Sequence, residues 1–105
     1  LATAVAFFNV ALPQTLDIMM KLTAEISMYP LQDNYLEAIE WFIQRVDSYP
    51  NIERVTNAMA TQVVGEYSEV MAMLAVEMEA AHSKFGKAAF VCKFLGGELN
   101  LAHKQ

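Results

Sequence analysis

The chain has 105 residues, 55% of them hydrophobic, with seven methionines, four glycines and three prolines. That length suits one domain with an ample core, and the net charge of −5 argues against a nucleic-acid surface. A lone cysteine, Cys92, excludes an internal disulfide and fits a reducing, cytoplasmic setting.

Charge is uneven along the chain. Residues 17–79 hold eleven acids and three bases, whereas residues 84–105 hold four bases and one acid. A weakly basic end therefore follows an acidic body. The chain does not begin with Met, which reads as a single domain over 1–105 cut from a longer protein.

Residues 1–12 are uncharged and apolar, with Phe7 and Phe8 at their centre. They read as a core helix, with a membrane-seeking segment as the sharper alternative. They are too short to span a bilayer before Pro13 interrupts them. Residues 14–28 read as a second helix, with Leu16, Met19, Met20, Thr23 and Ile26 on one face; Tyr29-Pro30 ends it. Residues 32–48 form the next predicted helix. Asn34 and Glu37 have capping-box spacing, and Leu36, Ile39, Phe42, Ile43 and Val46 make the buried stripe. Trp41 lies off that stripe, as a second packing edge or a partner contact.

Residues 51–82 supply the longest periodic signal. Ile52, Val55, Met59, Val63, Tyr67, Val70, Leu74, Met78 and Ala81 recur at steps of three or four. This spacing predicts one long central helix, with Glu66, Glu69 and Glu77 on its polar side. Gly65 falls inside it, at a cost of roughly 1 kcal/mol against Ala. Gly86 fits the turn after a helix end. Residues 87–95 read as a short helix bearing Phe90 and Phe94, rimmed by Lys84, Lys87 and Lys93, and stopped by Gly96-Gly97. Residues 98–103 add one more turn. The fold expected from these elements is all-α: four or five helices in a compact bundle around residues 51–82.

No catalytic or metal constellation stands out. Glu79 and His82 are three residues apart, but a di-metal bundle needs two such pairs and inward glutamates. Cys92, despite Lys93 beside it, has no base or orienting partner in the sequence and reads as a small core residue, and the glycines match no phosphate loop. The reading is accordingly non-enzymatic, with no metal, no cofactor and no small-molecule substrate.

From Tyr35 onward the residues carry a family pattern. Trp41-Phe42 and Arg45 are followed by Tyr49-Pro50, then Ala58-Met59, then an acid at Glu77 or Glu79, and last the segment from Lys84 to Leu95-Gly96. This resembles the Goodbye domain at the N-terminus of fungal STAND proteins, which are NLR-like receptors. The resemblance implies a helical effector or adaptor module acting in regulated cell death and non-self recognition. It would work by self-association, with peripheral membrane contact as a further mode. The contact residues would be Phe7, Phe8, Trp41, Lys84, Lys87, Phe90, Lys93 and Phe94. The alternative is a generic helical module that binds one protein partner.

Overall fold

A computed structural model describes residues 20–102. The predicted helix over residues 1–12, with Phe7 and Phe8, lies outside them.

The architecture is α+β, and the all-α bundle is overturned. Among the described residues six elements follow in order: β1 Lys21–Pro30, α1 Tyr35–Asp47, β2 Glu53–Thr56, β3 Thr61–Glu66, α2 Tyr67–Phe85 and β4 Ala88–Gly96. The strands form one antiparallel sheet in the order β2-β3-β1-β4. Since β3 opposes both β1 and β2, those two run parallel with β3 between them. Likewise β3 and β4 run parallel with β1 between them. Two split βαβ units thus interlock, which is the ferredoxin-like arrangement.

Only helix α1 lies close to where periodicity places it. Its buried residues are Ala38, Phe42 and Val46, one turn apart, while Leu36 is exposed. Asn34 stands at the N-cap, as its spacing from Glu37 predicts, but its side chain makes no capping bond. Its side-chain amide bonds the Glu37 carboxylate instead, at 2.6 Å.

Of the predicted helix over 14–28, residues 14–19 lie outside the described residues, and from Lys21 onward it gives way to β1. Leu22, Ala24 and Ile26 alternate with Thr23, Glu25 and Ser27, and the first set is buried against the helices. A period of two is a strand with one covered face.

The long helix over 51–82 divides into three pieces. Residues 53–66 form a hairpin, and only Tyr67–Phe85 is helical. The hairpin turns without glycine or proline. The Asn57 side-chain oxygen accepts from the Met59 and Ala60 amides, and the Asn57 amide donates to the Ala60 carbonyl. Such an Asx turn gives the backbone an alternative to helix. Met59 sits at the tip, 84% exposed.

The short helix over 87–95 is strand β4. Gly86, at φ 81°, separates it from α2. This left-handed value is where glycine costs least.

Both helices cover the same face of the sheet. Leu22, Ala24, Ile26 and Val63 pack there on Phe42, Val46, Val70, Met73 and Leu74. Gly65 lies in β3, where space is short. A Cβ there would meet Ile52 Cγ1 at 3.2 Å and Val70 Cγ2 at 3.3 Å. In a helix interior, replacing glycine would stabilise the chain. Here Gly65→Val should cost about 1–3 kcal/mol through overpacking, read as a lower urea midpoint.

Candidate functional site

Two polar arrangements stand out from the packed core. The first joins α1 to α2. Glu77 is fully buried on the inner face of α2, one turn from Leu74 and Ala81. Arg45 of α1 grips it with two bonds, Nε to Oε1 at 2.8 Å and Nη2 to Oε2 at 3.2 Å. The Tyr49 hydroxyl donates to Oε2 at 2.6 Å. Arg45 also lies 5.8 Å from the Trp41 ring centroid. Its guanidinium holds the Glu77 carboxyl below the usual carboxylate value; burial opposes this and the Tyr49 bond assists. The Tyr49 phenol is raised, first by burial and then by Glu77. No buried side-chain polar atom among the described residues lacks a partner, so the cluster serves as a structural clamp between helices.

The second arrangement lies on the sheet face away from the helices. Register places Thr23, Glu25 and Ser27 of β1 on this face, beside Gln62 and Val64 of β3 and Lys93 and Leu95 of β4. After Gly97 the chain turns back across this face. The Thr23 hydroxyl fixes it there, donating to the Gly97 carbonyl at 2.8 Å and accepting from the Leu99 amide at 3.1 Å. The result is an open groove of about 610 Å³. Thr23, Glu25 and Gln62 contribute its polar side, while Leu95, Leu99 and Leu101 contribute apolar lining.

Glu25 is the charged centre of the groove. Gln62 Nε2 donates to its Oε2 at 3.3 Å, and Lys93 Nζ lies 3.4 Å from Oε1. Both contacts are long, and the Lys93 side chain is 82% exposed. Such a pair is weak, so the carboxylate keeps acceptor capacity for a donor arriving from outside.

The residues singled out from sequence do not converge on one site. Phe7 and Phe8 lie outside the described residues. Trp41 is half-buried between the helices, edge-on to Phe85 at 5.5 Å. Lys84 lies over the Phe85 ring, and Lys87 is exposed just ahead of β4. Phe90 turns to the helix side of the sheet and contacts Phe42 and His82. Phe94 shares that side of β4 by register, half exposed at the sheet's edge, and it lines the groove together with Lys93.

Sequence reasoning missed Glu25, Gln62 and the burial of Glu77. The alternation from Lys21 to Met28 is a readable signal for the first. Glu77 keeps the spacing of Val70, Leu74 and Ala81, which is a readable signal for its burial. Among the described residues no group of three metal-ligating side chains converges, and no helix is long and apolar enough to cross a membrane.

No family model matches the chain, and no curated protein sequence does either. Solved structures do match. A Thermotoga maritima protein, named for a suggested role in thiamine biosynthesis or salvage, superposes with TM-score 0.65 at 18% identity, over 70% of this chain and 81% of its own. A Streptococcus pneumoniae protein gives 0.68 at 21% identity, over 75% and 89%. A Bacillus cereus domain of unknown function, DUF77, gives 0.61 at 18% identity, over 74% and 78%. At these identities the likeness establishes the shared fold. Together with the sheet, it overturns the resemblance to the Goodbye domain. The STAND-receptor role in cell death falls with it, as does the generic helical module.

The Glu77 clamp has a pH signature. A carboxyl depressed in the folded state contributes stability that is complete above its unfolded value, about 4.3, and is lost as pH falls through the folded one. Urea midpoints of the native chain should therefore fall on acidification below about pH 4. Glu77→Gln should cost about 1–3 kcal/mol at neutral pH and flatten that acid limb.

Proposed function

We propose that this chain is a small-molecule-binding protein whose ligand lies in the groove on the open sheet face. The observation that carries the reading is Glu25, a loosely held carboxylate beside the Gln62 amide, with leucine lining nearby. An acceptor carboxylate next to an amide suits a flat heterocycle bearing an amine. The leucines suit the faces of its ring.

The ligand class proposed is thiamine and its aminopyrimidine half. Support comes from the match between that chemistry and the groove, and from the name given to the Thermotoga maritima protein of the same fold. The reading departs from the sequence expectation of no small-molecule partner. The role proposed is binding without catalysis, in the cytoplasm, where Cys92 stays a free thiol. Glu25 would supply a hydrogen-bond acceptor and a counter-charge to a cationic ligand. Thr23, already engaged with Gly97 and Leu99, would hold the groove's edge in place.

Titration calorimetry with thiamine, and separately with its pyrimidine and thiazolium halves, tests this. Heat of binding should follow the half that bears the amine. Glu25→Gln should weaken affinity roughly 10- to 100-fold, the range for a charge-assisted bond. No binding of any of the three by the native chain, or equal binding by the Gln variant, would rule the proposal out.

A further inference from the structure

The two outer strands of the sheet are treated very differently. At one side β2 has four residues, and two of them, Glu53 and Arg54, are charged. A short, charged strand is how a sheet avoids unwanted pairing. At the other side β4 has nine residues, AAFVCKFLG, with one charge. Among the described residues no strand lies against its outer edge.

The register tells which backbone groups face outward. The Gly97 amide donates to the Lys21 carbonyl, and the Leu31 amide to the Lys87 carbonyl. Bonded pairs alternate with non-bonded ones along an antiparallel ladder. Residues 87, 89, 91, 93, 95 and 97 therefore aim their backbone groups at β1. Ala88, Phe90, Cys92, Phe94 and Gly96 aim theirs away from it. His82 Nε2 bonds the Ala88 carbonyl at 2.9 Å. Because a carbonyl only accepts, that nitrogen carries the proton. The side chain thus closes one end of the row, and the outward groups of Phe90, Cys92 and Phe94 remain as a pairing template.

We propose that β4 pairs antiparallel with β4 of a second copy of this chain, centred on Cys92, joining two sheets into one of eight strands. The pairing is self-complementary. Phe90 would stand opposite the partner's Phe94, a cross-strand aromatic pair that covers a ring now half exposed. Lys93 would stand opposite the partner's Val91, so no like charges meet. Lys87 would approach the partner's Glu98, and both are exposed in one copy. These matches favour a second copy over an unrelated strand, and the two-fold axis closes the assembly at a dimer. The inference does not rest on the ligand reading: it is argued from the backbone groups of β4 that face away from β1, although Lys93, Phe94 and Leu95 of that strand also line the groove.

The chain's single cysteine makes the test specific. Directly opposed residues of a bonded antiparallel pair have Cα atoms about 5.5 Å apart, inside the disulfide range of about 4.4–6.8 Å. Light scattering behind size exclusion should give the full chain twice its own mass. Mild oxidation or a short bis-thiol reagent should capture that dimer covalently through Cys92. Phe94→Pro removes an N–H that faces away from β1, so the fold, followed by circular dichroism, should persist while the mass halves. Phe94→Ala keeps the N–H and should remain dimeric, though weaker. A native monomer would overturn the inference, whether the edge is bare or is covered by residues 1–19. So would a dimer that resists Cys92 capture, or one that survives Phe94→Pro.

Discussion

Strand β1 is paired along both of its edges, with β3 on one side and β4 on the other. That double pairing fixes its register, and the register fixes which side chains face the helices. A slip of one residue would send Leu22, Ala24 and Ile26 to the outer face and draw Glu25 into the core. The apolar burial against α1 and α2, and the polar side of the groove, are two results of the same alternation. The clamp of Arg45, Tyr49 and Glu77 then ties the two helices to each other above this strand.

Among the described residues both helices cover the same side of the sheet. This two-layer form leaves a second face and a long strand edge to be accounted for. The returning segment from Gly97 to Leu101 covers part of that face and turns it into a groove. The edge of β4 is a separate feature, with its own backbone donors and acceptors. The described residues thus present two distinct features, a groove on one sheet face and a long strand edge.

Parts of this were readable in the sequence. The helix of Tyr35–Asp47 follows its periodicity, although its inner line runs through Ala38 and leaves Leu36 outside. The alternation through Lys21–Pro30 is a plain strand signal, but Leu16, Met19 and Thr23 also satisfy a helical spacing when taken with the preceding residues. Over 51–66 the ambiguity is deeper. Ile52, Val55, Met59 and Val63 sit at helical steps, yet Met59 is a hairpin tip and Val63 a strand residue. The turn between them is made by the side chain of Asn57, with no glycine or proline to mark it. Strands of four and six residues, ERVT and TQVVGE, are too short to show a clear period of their own, so tertiary pairing decides their state. Strand β4 has apolar residues on both faces, a composition that serves a helix equally well. The site was less legible than the fold. Glu25 and Gln62 meet only because β1 and β3 are neighbours, a contact between residues far apart in the chain. Glu77 looked like a solvated acid because Glu66, Glu69 and Glu79 surround it in sequence.

Thr23 ends its side chain in a single hydroxyl, and that one oxygen both gives a hydrogen bond to Gly97 and takes one from Leu99. Beyond the Gly97 amide's bond to the Lys21 carbonyl, the returning segment is pinned to β1 by this oxygen. Serine would keep the pin. Valine, equal in bulk, would leave two main-chain groups stranded and the segment looser. The shape of the groove is therefore governed by an atom that need never touch what enters it.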